Sequence, residues 1–278
     1  MGFPNNQERA SVTELIHKEL SFEIVGCIFD VHNAIGPGLR EECYQKAMQQ
    51  RLGEKGLPFI AKPATRRDLV YRGEIVDAFE PDLVVADSII LELKHQVEGF
   101  VPENDAQVLN YLKFWNMELG LLANFAQDKA VFERIPRQPP PPQLDESYDH
   151  ITDLIQPVHK PTLRTIREGL LEMFRVVGLG YTATTYRRLA LVEFRAHQLA
   201  VLDDVIVAPS FHERRLPRSP ISPFVVNQAV CVQVDAINDV VSVRLVRTMQ
   251  THLRLTGMPL GIVASFGRRT LSIRGVRP

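Results

Sequence analysis

Pro81-Asp82-Leu83-Val84-Val85-Ala86-Asp87-Ser88-Ile89-Ile90-Leu91-Glu92-Leu93-Lys94 sets two acids and a lysine into runs of valine, isoleucine and leucine. Residues Phe79 to Val85 and Ser88 to Leu93 have the composition of buried strands, and Ala86-Asp87 between them suits a tight turn. An isolated charge on such an element is costly or shifts its pKa. Asp82, Glu92 and Lys94 converging at strand ends therefore point to a divalent cation and an anionic substrate, with a phosphodiester and magnesium fitting best.

Asp82 and Glu92 supply hard oxygen ligands, and the backbone carbonyl of Leu93 lies beside them. Mg²⁺ (or Mn²⁺) takes one or two carboxylates and fills its other positions with water and substrate phosphate. Lys94, two residues beyond Glu92, falls on the same strand face. From there it can orient or help deprotonate an attacking water. The same pattern also describes a strand-start aspartate and an exposed Glu92–Lys94 pair on an edge strand, which would be worth only roughly a few tenths of a kcal/mol. The two readings differ in whether the three side chains share one sheet margin.

Gly38-Leu39-Arg40-Glu41-Glu42-Cys43-Tyr44 follows an apolar helical stretch and opens another helix, with Pro37 and Gly38 as the break. Glu41 and Tyr44 stand three apart, on one helical face. Gln107 and Tyr111 stand four apart and share a face of the helix expected from Glu103 to Trp115. In order and spacing, these pieces together with Leu119-Gly120-Leu121-Leu122-Ala123-Asn124-Phe125 resemble the GxxExxY proteins, a branch of the PD-(D/E)XK nuclease superfamily, over residues 20–136.

That resemblance implies a restriction-endonuclease-like α/β core, a central mixed sheet flanked by helices. The order would be helix, three-stranded antiparallel sheet, helix and further strand, with the site at one sheet edge. It implies Asp82 and Glu92 as metal ligands, Lys94 as the catalytic lysine, and Glu41 as an acid facing the metal from the first core helix. Gln107 and Tyr111 would touch the phosphate or the outer ligands of the metal. The reaction implied is hydrolysis of DNA by direct attack of water. RNA stays open, because nothing in the chain reports on a 2′-hydroxyl. Read as plain structure, Tyr111 is core packing, Gln107 is solvated, and Glu41 is a favourable acid in a first helical turn.

The second half repeats the first with its chemistry erased. Sliding by 141 places Leu119-Gly120 on Leu260-Gly261, Phe125 on Phe266, Glu92 on Gln233, Lys94 on Asp235, Gln107 on Thr248 and Tyr111 on His252. With one residue of slip, Pro81-Asp82 falls on Pro223-Phe224, and the Glu41 position falls on Ala183 or Thr184. The expectation is two tandem copies, the second a pseudonuclease. The domains read as 1–137 (nuclease-like), 138–161 (a semi-rigid exposed linker carrying Pro139 to Pro142 and Gln143 to Ser147) and 162–278 (degenerate and arginine-rich). Ile151 to Ile155 could pack on either domain.

The 278 residues, 45% of them hydrophobic, suffice for two cores. Net charge is −1, but Thr162 to Pro278 carries 16 arginines, no lysine and 8 acids, a balance of +8 against −9 for the remainder. Arg187, Arg188, Arg214, Arg215, Arg268 and Arg269 are candidates for contact with nucleic acid. Docking of the acidic half on the basic half, within one molecule or in a homodimer, is the competing use of that charge. A catalytically idle scaffold that binds nucleic acid or protein is the alternative function. Three cysteines without Cys-x-x-Cys spacing read as reduced thiols. The chain has no apolar run that spans a bilayer and no secretory h-region, so no membrane partner and a cytoplasmic location are expected.

Overall fold

The computed structural model describes residues 15–137 and 141–278, which fall into two compact units that are each discontinuous in sequence. One holds the described residues up to Thr65 with Pro81–Val101 and Trp115–Arg137. The other holds Arg66–Glu80, Pro102–Phe114 and the described residues from 141 onward.

The first unit opens with α1 (Lys18–Ile35), whose Ile24, Cys27, Ile28 and Val31 recur at helical spacing and are buried. Gly36 and Gly38 end it with φ of 76° and 99°, values that favour glycine. In α2 (Glu41–Glu54), Tyr44, Met48 and Leu52, four apart, join the same core. Then follow β1 (Phe59–Ala61), and, beyond a hairpin assigned to the other unit, β4 (Leu83–Val85) and β5 (Ile89–Lys94). The turn Ala86-Asp87 has φ of 49° and 48°, the positive pair that a two-residue hairpin needs. After the connection containing α3 (Pro102–Trp115) come β6 (Leu119–Asn124) and β7 (Val131–Pro136). The sheet order is β1-β4-β5-β6-β7, with β5 and β6 parallel and the other neighbours antiparallel. Phe79 lies outside β4, so the expected strand from Phe79 to Val85 is two strands broken at Glu80-Pro81-Asp82.

In the second unit the hairpin of β2 (Arg67–Tyr71) and β3 (Glu74–Phe79) and most of α3 accompany the whole second half of the chain. Gln143–Ser147 is not linker but β8, an edge strand parallel to the final strand β17 (Thr270–Val276). Of the proline run, Pro139 and Pro140 lie outside the described residues. Ile151, in a short 3-10 helix (Asp149–Leu154), is fully buried, and its side chain abuts Gly275 of β17, where a Cβ would sit 2.6 Å away. Then follow α4 (Lys160–Val177), α5 (Ala183–Ala196), β9 (Val201–Leu202), β10 (Val205–Val207), β11 (Ser210–Phe211), β12 (Arg214–Arg215), β13 (Ser219–Ile221), β14 (Phe224–Val226), β15 (Val230–Ile237), α6 (Val243–Thr256) and β16 (Leu260–Gly267). The main sheet runs β8-β17-β16-β15-β14-β9. Without β8 this is the order of the first sheet, again with its central pair parallel across a helix. The molecule is thus mixed α/β with two copies of one layered plan. No helix among the described residues is long and apolar enough to cross a membrane.

Candidate active site

Pro81-Asp82 is fixed from β1 and the loop beyond it. The Thr65 hydroxyl donates to the Pro81 carbonyl at 2.6 Å, and the Lys62 backbone N–H to the Asp82 carbonyl at 3.1 Å. Because β4 begins one residue later, the carboxylate of Asp82 takes the Leu93 N–H of β5, with Oδ2 at 2.8 Å. Glu92 in turn accepts the Asp82 N–H on Oε2 at 3.3 Å. Both carboxylates are buried, 2% and 3% exposed, one just before β4 and the other on β5. Lys94, on the Glu92 face of β5, places Nζ 2.8 Å from Glu92 Oε1. Asp82, Glu92 and Lys94 therefore share one sheet margin, and the reading of Glu92–Lys94 as an exposed edge pair does not hold.

Two buried acids side by side repel one another. Burial first, and then the charge of Asp82, push Glu92 up to about 7, against the opposing pull of Lys94. A divalent cation would relieve both effects, and the donors are hard oxygens, so this pair fits magnesium or manganese. Among the described residues no group of three His, Cys, Asp or Glu side chains could hold a metal. The pair and the Leu93 carbonyl are the candidate protein ligands together with Glu41 of α2, and Mg²⁺ needs no more than one or two carboxylates.

Lys62 is the residue that sequence reasoning missed. Its Nζ lies 2.5 Å from Asp82 Oδ1 and 4.0 Å from Glu41 Oε1, so one ammonium links the core acid to the acid on α2. Burial lowers the Lys62 pKa, but the hydrogen bond to Asp82 together with the charges of Asp82, Glu41 and Glu92 outweighs it and leaves the group above its usual range. A lone lysine after a three-residue strand carries no sequence signal of this role. Tyr44, the other member of the Glu41 motif, is fully buried and staples the loop, since its hydroxyl donates to Gly36 O at 2.8 Å and accepts from Leu39 N at 3.1 Å. Gln107 and Tyr111 belong to the second unit, where Gln107 Nε2 donates to the Tyr111 hydroxyl at 2.8 Å.

Strand pairing fixes the comparison between the copies. Leu83 pairs with Leu91 in the first and Phe224 with Val232 in the second, so Asp82 corresponds to Pro223, and the one-residue slip is not needed. Glu92 corresponds to Gln233 and Lys94 to Asp235, since Ile89 opposite Leu119 matches Val230 opposite Leu260. Ile60 opposite Val84 matches Leu202 opposite Val225, which puts Asp204 at the Lys62 position. Tyr186 repeats the Tyr44 staple, donating to Gly178 O at 2.6 Å and accepting from Tyr181 N at 3.3 Å. That equivalence selects Ala183, not Thr184, for Glu41. The loop staple persists and every charge at the margin changes.

The arginines of the second half have different fates. Arg187 lies over the Phe224 ring, 4.2 Å from its centroid, and donates to the carbonyls of Ser222 and of Asp203, the latter at 2.7 Å. Arg188 pairs with Asp77 of β3 at 3.1 Å. Arg214, Arg215, Arg268 and Arg269 are exposed. Glu193 of α5, unremarked in the sequence, is fully buried beside Gly169 of α4. It accepts from the Tyr71 hydroxyl (2.7 Å), Arg72 Nε (2.5 Å) and Nη2 (3.0 Å), and lies 2.9 Å from His197 Nε2. The β2–β3 hairpin, encoded in the first half, is thus clamped by a helix of the second.

A family model described as the PD-(D/E)XK nuclease superfamily matches residues 18–135 and again 160–276. No curated protein and no solved structure matches the chain.

Proposed function

This chain belongs to the PD-(D/E)XK nuclease superfamily, and we propose that its first copy is a Mg²⁺- or Mn²⁺-dependent phosphodiesterase acting on DNA, while the second copy is inactive. The observation that carries the reading is the convergence of Asp82, Glu92 and Lys94 at one margin, with both carboxylates buried. Asp82, Glu92 and the Leu93 carbonyl would hold the metal, which when bound supplies Lewis-acid stabilisation of the phosphorane-like charge and a more acidic water.

The remaining work falls to the side chains. Lys94 is held by Glu92 with Nζ on the margin, where it orients the attacking water as the oxygen of that water bonds to phosphorus and the bond from phosphorus to the leaving ester oxygen breaks. Lys62 and Glu41 keep the Asp82 carboxylate oriented. Inactivity of the second copy follows from Pro223 and Gln233, a position with no oxygen ligand beside one with only a neutral amide, and from an acid at the Lys94 position.

The test is cleavage of supercoiled and linear DNA, with an RNA arm, by wild type, Asp82→Ala, Lys94→Ala and Asp235→Ala. The reading requires Mn²⁺- or Mg²⁺-dependent cleavage in wild type and Asp235→Ala, and a loss of at least a hundredfold in the other two. Equal cleavage by all four would refute the assignment of Asp82 and Lys94, and no metal-dependent cleavage by wild type would leave the chain as an idle scaffold.

A further inference from the structure

The two copies carry equivalent hairpin tips with different fates. In the first, Tyr71 pairs with Glu74 across Arg72 and Gly73, with φ of 48° at Arg72. In the second, Phe211 pairs with Arg214 across His212 and Glu213, with φ of 51° at His212. The first tip is an anion-binding device already in use, since its tyrosine hydroxyl and arginine fork both close on the Glu193 carboxylate. The second tip has Phe211 where the first has Tyr71, again followed by a left-handed residue, and among the described residues no ion pair holds it. Residues 210–220 are all exposed, Phe211 by 66%.

The charge at this second tip is one-sided. Arg214, Arg215 and Arg218 stand against the single acid Glu213, and among the described residues none of the three arginines is ion-paired, whereas Arg167, Arg175, Arg188 and Arg274 each hold a carboxylate. The ring centroids of Phe211 and His212 are 4.3 Å apart, and the exposed Phe211 is paired across the hairpin with Arg214. Unpaired arginines interleaved with an exposed aromatic match a phosphate backbone with stacked or sugar surfaces between its charges.

We propose that the hairpin Ser210–Arg218 of the second copy is a DNA-binding element, in which Arg214, Arg215 and Arg218 engage backbone phosphates and Phe211 packs against a base or sugar. This rests on the reading of the chain as a DNA-directed nuclease and gives the catalytically silent copy a binding role.

The experiment measures binding of labelled duplex DNA in EDTA, as a function of salt. It uses the full chain carrying Asp82→Asn so that nothing is cleaved. Added to that background are Arg214→Ser/Arg215→Ser/Arg218→Ser, Phe211→Ser, and Arg175→Ser as a control whose arginine is already paired. The triple variant is expected to bind at least tenfold more weakly at about 0.1 M salt, with a slope of log affinity against log salt smaller by about three. Phe211→Ser is expected to weaken binding about tenfold or more without changing the slope, in line with about 1–3 kcal/mol per stacked base, and Arg175→Ser to change neither. All five substituted side chains are exposed, and unchanged thermal melting confirms intact folding. DNA binding by the background chain that is equal in the triple variant overturns this proposal alone. Absence of DNA binding in the background chain, or tighter binding of RNA, overturns it together with the reading it rests on.

Discussion

Replacing Glu92 by glutamine should stabilise the metal-free protein while abolishing its chemistry. In the folded chain Glu92 is 3% exposed and shares its margin with Asp82, and its pKa rises from 4.5 to about 7. At about 1.4 kcal/mol per pH unit, the ionised side chain opposes folding by about 3 kcal/mol relative to the neutral one. Below pH 4.5 the group is protonated in both states and exacts nothing. As pH rises above 4.5 the unfolded chain releases its proton first, so stability falls until the folded group also ionises near 7, and the deficit is constant above that. Glutamine keeps the volume and the neutral hydrogen-bonding character, so the variant should exceed wild type by up to about 3 kcal/mol at pH 8 and match it at pH 4. Urea unfolding in EDTA at both pH values measures this, and comparing the two proteins cancels the titration of all other groups. A variant no more stable than wild type at pH 8, or equally more stable at pH 4, would refute the reasoning that this carboxylate sits in an unrelieved, buried, like-charged pair.

Glu193→Ala removes the acceptor of three donors from β2 and the turn after it, and should cost about 2–3 kcal/mol in urea unfolding. Glu42→Ala, which breaks the exposed pair with Lys46, should leave the unfolding midpoint nearly unchanged; similar losses in both would contradict the assignment of Glu193 as the clamp. Glu193 is desolvated, but its hydrogen bonds from Arg72 and Tyr71 prevail and hold its pKa below the usual carboxylate range, so its contribution is present above about pH 4.5 and lost on acidification. Lys62→Met leaves Asp82 without its 2.5 Å partner, and should lower the metal-free melting temperature while enlarging the rise on adding Mn²⁺ beyond that of wild type; an unchanged Mn²⁺ shift would show that Lys62 and the ion do not compete for the same carboxylate.

Much of the site was legible because its charges interrupt an apolar pattern. Asp82, Glu92 and Lys94 announced themselves as polar residues in valine and leucine runs, and Ala86-Asp87 as the turn between them. The helix expected from Glu103 to Trp115 begins one residue earlier, at Pro102. What was not legible depends on partners distant in sequence. The Tyr71–Arg72–Glu193 contacts join residues more than a hundred positions apart, so the local sequence of neither partner shows them. Gln143 to Ser147, polar and next to prolines, reads as linker because an edge strand needs little burial to pair along β17. The slip assumed at Pro223-Phe224 followed the recurring proline, whereas the ladder aligns strand with strand and places Pro223 itself at the Asp82 position. The glycine and tyrosine of the α2 motif survive in the second copy because they shape and staple a loop, while Glu41, which builds no loop, is gone.

The central claim is that Asp82 and Glu92 together hold one catalytic divalent ion. Electron paramagnetic resonance of Mn²⁺ titrated into the full chain counts bound ions directly, and the account predicts one tight site per chain in wild type, retained in Asp235→Asn and lost in both Asp82→Asn and Glu92→Gln. A tight Mn²⁺ site that survives Asp82→Asn, or is lost in Asp235→Asn, would contradict it.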